Sequence, residues 1–255
     1  MPVTELPEVV KFNIVVFNRV IPPALLMSWI TLAIVFVLSL FATRRLALVP
    51  RTLQGVLEMG LTFVYDLADS VIGPEARRYY PLFVGLFLYI FIGNLLGLVP
   101  GLACPTANIN ITAALALVVF FSTHYFGIRE QGFFGYFNHM MGEVPVWLKP
   151  FMLLIELISQ LARPLSLAFR LFGNMMAKEV LLGVLAMLVV LFLPSKNTVQ
   201  KLLTAGPFLV LPFIYLLGML ISFIQAFIFT ILTIFYIGGA VEVQHQAESR
   251  HERRQ

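Results

Sequence analysis

The sequence predicts an all-α integral membrane protein: about five membrane-embedded helices plus one amphipathic surface helix, the last two long and tilted as a hairpin. Three observations carry this. Of the 255 residues, 60% are hydrophobic and 12% charged, against roughly 25% charged in a soluble domain, and the mean hydropathy is +0.92. The charges collect at the ends of apolar segments. Several of those segments reach the ~20 residues a helix needs to cross a ~30 Å hydrocarbon core. The formal charge of +4 therefore reads as a topology signal, since a nucleic-acid footprint needs its basic residues in one patch. A lone cysteine, Cys104, excludes an internal disulfide framework and a thiolate metal site and reads as a spectator in a loop. His124, His139, His245 and His251 show no metal spacing and read as incidental, so neither metal nor cofactor is expected.

The whole chain is expected to form one membrane domain. Residues 1–23 mix Glu5, Glu8, Lys11 and Arg19 with apolar residues and lack the short apolar core and small-residue site of a cleavable signal. The uncharged segment 24–42 is the first span. Arg44, Arg45 and Arg51 follow it while only Lys11 and Arg19 precede it, so the N-terminus is expected outside and residues 44–51 in the cytoplasm. In 52–72 the apolar positions 53, 56, 57, 60, 61, 64, 67, 68 and 71 alternate with Gln54, Glu58, Asp66 and Asp69. That is the pattern of an amphipathic helix on the inner surface. A true span is the weaker alternative, opposed by three acids in so short a stretch.

Between Arg78 and Arg129 lie 50 residues without a formal charge, interrupted at Pro100, Gly101, Pro105, Asn108 and Asn110. Two spans, 79–99 and 109–127, joined by a short outer loop fit that length, with both ends inside. Gly127 to Lys149 reads as an inner loop. Residues 150–193 and 202–241 are each about twice the length of a perpendicular span, ~65 Å for the first, so they must be tilted, or the first broken near Pro164 or Gly173. The polar tail 242–255, with Arg250, Arg253 and Arg254, is expected inside.

Candidate functional residues lie in the first long segment. Glu156, Ser159, Arg163, Ser166, Arg170 and Asn174 are spaced 3, 4, 3, 4 and 4, which at roughly 100° per residue places them within an arc of about 80°. Such a stripe on an apolar helix must face a partner or water, not lipid. In the second long segment Tyr215, Gly218, Ser222, Gln225 and Tyr236 make a similar stripe. Arg170 stands 21 residues from Lys149 and 26 from Lys196, too far from either end to snorkel easily. An unpaired guanidinium at that depth costs several kcal/mol. No carboxylate of the chain is an evident partner, so the partner is expected in another subunit. Arginine does not deprotonate in proteins, so it can attract a carboxylate without relaying a proton.

Several assignments stay open. A pair with Lys178 competes with a wet cavity for Glu179. A surface position at the inner interface competes with a wet cavity for Glu156. Arg163 fits a structural role, snorkelling inward, as well as a functional one. Asn174, Ser159, Ser166 and Gln225 could equally serve interhelical packing. Enzyme readings lack support: Asp66 and Asp69 are the only aspartates, and H-E-x-x-H, G-x-S-x-G and Walker motifs are absent. A secondary transporter would be expected to carry internal repeats, which the sequence does not display.

The run Arg170-Leu-Phe-Gly-Asn174-Met, preceded by Arg163-Pro-Leu-Ser and followed by Ala177-Lys178-Glu179, resembles the a subunit of the F-type rotary ATP synthase. So do Gln225-Ala-Phe-Ile-Phe-Thr through Tyr236, Gly93-Asn94-Leu-Leu-Gly-Leu-Val-Pro100 and Pro105-Thr-Ala-Asn108-Ile-Asn110. The resemblance implies a stator channel packed against a ring of c subunits and anchored to peripheral-stalk b subunits. Two offset half-channels would lead protons to and from a ring carboxylate facing Arg170. It carries Glu179 and Asn174 over to the outer half-channel and Glu156 and Ser159 to the inner one, with Gln225 beside Arg170. It implies no catalytic site in this chain. The absence of a recognisable targeting segment favours a bacterial plasma membrane, with an energy-transducing organelle membrane as the alternative. Some members place a histidine where this chain has Gly218, so Glu179 is expected to work through water for which the glycine makes room.

Overall fold

The computed structural model describes residues 15–16, 19–20, 22–44, 52–99, 101–141, 145, 147–192 and 198–241. The expectations placed on the N-terminal segment before residue 15, on Arg45 and Arg51, on 193–197 and on the tail 242–255 lie outside them. Seven α-helices follow a two-residue antiparallel pair, β1 (Val15–Val16) with β2 (Arg19–Val20). They are α1 (Pro23–Arg44), α2 (Thr52–Ile72), α3 (Tyr80–Leu96), α4 (Ile109–Gln131), α5 (Phe133–Met140), α6 (Lys149–Phe192) and α7 (Thr198–Val241). Among the described residues α1, α4, α6 and α7 are long and apolar enough to cross a membrane, and α3 is a shorter apolar helix of 17 residues. α2 is not among them. Its buried side is Val64 and Ala68, while Asp66 and Asp69 are exposed, as an amphipathic surface helix requires.

Two details differ from the sequence reading. α4 continues to Gln131, and the segment read as an inner loop contains α5. Gly132, with φ of 72°, makes the reversal between them, in a region that favours glycine. α5 then packs its Tyr136 against α4 where Gly127 has no side chain: a Cβ there would lie 2.4 Å from the ring. Burial of an aromatic ring outweighs the loop-forming glycines around it. The second difference is that α6 runs unbroken through Pro164 and Gly173. Pro164 still leaves the Gln160 carbonyl without its i+4 donor, but the helix does not end there. Tilt is then the way a helix of 44 residues, ~66 Å, fits a ~30 Å layer.

The chain divides into two compact units. One comprises Met1–Phe41, Leu88–Ile111 and Leu171–Ala226; the other Ala42–Phe87, Thr112–Arg170 and Phe227–Gln255. In the first, α1 packs on α3 beside Gly93, where a Cβ would make ordinary contact with Thr31 at 3.5 Å, and the Ser28 hydroxyl is hydrogen-bonded to that of Tyr89. The loop after α3 folds back so that Cys104 lies over Gly97. In the second, Tyr79 packs edge-on to Phe126 with ring centroids 4.6 Å apart, Arg78 and Glu130 pair at 3.0 Å, and the Gln131 amide donates to the Ala240 carbonyl at 2.6 Å.

A Cβ at Gly97 would stand 2.5 Å from the Cys104 Cβ and 3.1 Å from its Cα, whereas one at Gly85 meets nothing within 4 Å. Gly97→Val is expected to destabilise the fold by about 1–3 kcal/mol. The check is a lower midpoint of thermal unfolding in detergent for Gly97→Val, with Gly85→Val as the control close to wild type.

Candidate functional site

α6 carries six charged side chains, and five of them are answered within the chain. Lys149 donates to Asn138 at 3.1 Å. Glu156 pairs with Arg163 at 3.5 Å and accepts from the Gln160 amide at 3.2 Å. The Arg163 guanidinium also lies over the Tyr236 ring, 5.5 Å from its centroid, so the structural role allowed for it is occupied. Lys178 donates to the Asn94 carbonyl at 3.0 Å and to Ser222 at 3.4 Å, and Glu179 accepts the Cys104 amide proton at 2.7 Å. The sixth is Arg170, which is exposed and makes no hydrogen bond or ion pair among the described residues.

The surroundings of Arg170 on α6 are small. Ala162, Ser166, Gly173 and Ala177 are exposed and, with Arg170, fall within about 80° of arc. Nothing lies within 4 Å of a Cβ built at Gly173. Flanking this strip are large exposed apolar side chains, Leu165 and Phe169 at 57% each and Val180 at 56%. The buried side of α6 is narrow: Leu167, Ala168, Leu171, Met175 and Lys178. An exposed apolar surface of this extent faces lipid or another subunit, and small residues let a second helix backbone come close.

In the first unit the polar stripe of α7 meets α6. Asn174 donates to the Gln225 carboxamide oxygen at 2.8 Å, and Gln225 is buried at 2% exposure. Next to this pair is a buried cluster that the sequence reading did not assemble. The Asn94 side chain is fully buried, its oxygen accepts from the Thr106 hydroxyl, and its Nδ2 has no partner. Lys178 is 5% exposed, its ammonium held by Asn94 and Ser222. Ser222 in turn donates to the Gly218 carbonyl at 2.7 Å.

Two expectations are corrected here, and one alternative left open is closed. Cys104 is not a spectator, because its backbone amide holds Glu179 and its thiol lies 3.0 Å from the Thr106 hydroxyl. Glu179 is not paired with Lys178, whose ammonium turns to Asn94. The space beside Gly218 is not open: a Cβ there would lie 2.6 Å from Leu98 and 3.6 Å from the Lys178 stem. The space a side chain at 218 would take is filled by Leu98, with the Lys178 stem at ordinary contact distance. Sequence signals existed for none of the three, since each depends on the loop after α3 returning over α6.

In the second unit, Ser159 is half-buried one turn from Glu156 and Arg163. His124, read as incidental, stands on α4 at the edge of a cleft shared with Gln160, Arg163 and Tyr236. Among the described residues no cluster of three metal-ligating side chains occurs.

A family profile described as "ATP synthase A chain" matches residues 25–238. The chain belongs to this family. Among curated relatives, "ATP synthase subunit a 1" of Syntrophotalea carbinolica is 45% identical over 218 residues, 86% of this chain and 85% of the relative. "ATP synthase subunit a" of Geobacter sulfurreducens is 39% identical over 222 residues, 87% and 89% of the two chains. "ATP synthase subunit a" of Helicobacter pylori strain Shi470 is 42% identical over 213 residues, 83% and 86%. Like these bacterial members of the ATP synthase A chain family, the chain is a multi-pass membrane protein.

Burial pushes the Cys104 thiol above its ordinary value, the Thr106 hydroxyl opposing. Each unit of upward shift lowers the thiolate fraction about tenfold below the pKa. Maleimide labelling of Cys104 at pH 8 is expected to be at least about tenfold slower than that of an exposed cysteine, Asn110→Cys. Its rate should still climb above pH 9, where the exposed thiol has levelled off.

Proposed function

We propose that this chain is the proton-translocating stator subunit of an F-type ATP synthase, in which Arg170 holds the ionised carboxylate of each passing c subunit. The observation that carries the reading is the contrast on α6: five charges are answered inside the chain, and the sixth stands exposed amid small residues. A guanidinium on an apolar helix needs a counter-charge or water, and the strip of Ala162, Ser166, Gly173 and Ala177 suits a second helix bringing a carboxylate close.

The residues then divide by their distance along α6. Glu179, with Asn174 and Gln225 behind it, serves the outer half-channel; Glu156 and Ser159 serve the inner one. At 1.5 Å per residue Glu179 is ~13 Å from Arg170 and Glu156 ~21 Å on the other side. A proton entering from outside passes by way of Glu179 to a c carboxylate, which loses its charge, leaves Arg170 and rotates into lipid. After nearly a full turn the carboxylic acid reaches the inner half-channel and gives its proton up toward Glu156. Arg170, always protonated, attracts the returning carboxylate and blocks direct passage between the two paths. Each charge contributes about 2.3 kcal/mol per 100 mV of membrane potential, so several protons drive one ATP. The catalytic chemistry belongs to other subunits, and peripheral-stalk b subunits hold this one against the ring. The membrane is the bacterial plasma membrane, with the N-terminus outside and the C-terminus in the cytoplasm.

Arg170→Ala should abolish ATP-driven proton pumping in vesicles carrying the assembled complex. Added passive leak would mean that the two paths have been joined. Pumping that persists in fully assembled Arg170→Ala complexes would overturn the assignment.

A further inference from the structure

A small cleft in the second unit adds a residue that the family resemblance did not supply. Thr123 and His124 of α4, Gln160 and Arg163 of α6 and Tyr236 of α7 line it together with the apolar Val119, Phe120, Pro164 and Leu167, leaving room for about one water molecule. Most of its polar groups are engaged. Thr123 donates to the Val119 carbonyl at 2.9 Å, Gln160 to Glu156 at 3.2 Å, and Arg163 pairs with Glu156 at 3.5 Å. His124 is the exception. Its Nδ1 is buried and has no hydrogen-bond partner among the described residues.

The imidazole is held in place by aromatic neighbours. Its ring packs on Phe120 at 4.2 Å and lies 5.8 Å from the Tyr136 ring. A buried ring nitrogen without a protein partner calls for a bound water, and the cleft has room for about one. The groups that face it are Tyr136 from α5, Gln160 and Arg163 from α6 with Glu156 behind them, and Tyr236 from α7. Burial holds the Tyr136 phenol above its ordinary value, and Arg163 does not titrate. Imidazole is therefore the side-chain type in this cluster whose ordinary range lies near neutral pH.

We propose that His124 carries protons between water in this cleft and Glu156, as a second titratable station on the inner half-channel. The inference rests on the inner path assigned above to Glu156 and Ser159. In the pumping direction one ring nitrogen takes a proton from a hydronium in the cleft, whose O–H bond breaks, while the N–H of the other releases its proton to the Glu156 carboxylate, where an O–H bond forms. The net change is one proton passed from water to Glu156, and the ring ends neutral in its other tautomer.

The test uses inverted vesicles, in which ATP-driven pumping draws protons from the medium through the inner path. With His124→Gln, pumping should fall about twofold at pH 6 and about tenfold at pH 8, because the station matters most when protons are scarce. An equal fall at every pH, or none, would overturn the proposal, since a merely structural loss has no reason to track pH. His124→Asn replaces the glutamine variant if that one fails to assemble. A separate arm places a cysteine at Thr123 and applies the thiol-seeking silver ion. Inhibition beyond that of the Cys104-containing parent marks the cleft as wet and supports the proposal. A silent Thr123→Cys would remove the water route and overturn it, leaving the Arg170→Ala result to judge the channel reading independently. Inhibition at Thr123→Cys with a flat pH response for His124→Gln would overturn the role of His124 alone.

Discussion

The cost of leaving a fixed positive charge in an apolar layer governs the rest of this structure. Arg170 sits near the middle of the 44-residue α6, far from either end, where its guanidinium cannot easily reach an interface. The other five charges of that helix are settled by neighbours, so the polar stripe is an arrangement in which one side chain alone is left for something outside. Glycine and alanine around it widen the approach, and leucine, phenylalanine and valine beyond them make the same surface compatible with lipid.

The two acids on either side of Arg170 are held by different means. A cation, Arg163, stands beside Glu156, and an amide of its own helix adds a second bond. Glu179 receives a backbone N–H from the loop after α3, while the adjacent ammonium is turned away into a buried pocket. A backbone donor cannot be titrated or rotated out of place, whereas a salt bridge can open. On the proposed reading, the outer carboxylate is the more rigidly positioned of the two, and the inner one has the looser setting.

Much of the fold was legible because it follows from composition and period. Apolar length separates α1, α4, α6 and α7 from α2, and the 3–4 spacing from Glu156 to Asn174 places six polar side chains on one side of a helix. What could not be read was whatever required a second element. The Cys104 amide has no side-chain signature, and Lys178 beside Glu179 looks like a pair until Asn94 is brought up from α3. His124 reads as a stray imidazole because α5, α6 and α7 together make the cleft around it. α5 itself was hidden by glycines that mark turns, one of which, Gly127, is there to admit the Tyr136 ring.

The packing at Gly218 bears on how this lineage could change. Leu98 and the stem of Lys178 fill the volume that a larger residue at 218 would need. A histidine at 218 needs the end of the Leu98 side chain to move aside, and losing the long side chain at 178 empties a buried space and abandons the Asn94 carbonyl. Leu98 therefore sets the size of the residue that fits at 218, with the Lys178 stem at ordinary contact distance beside it.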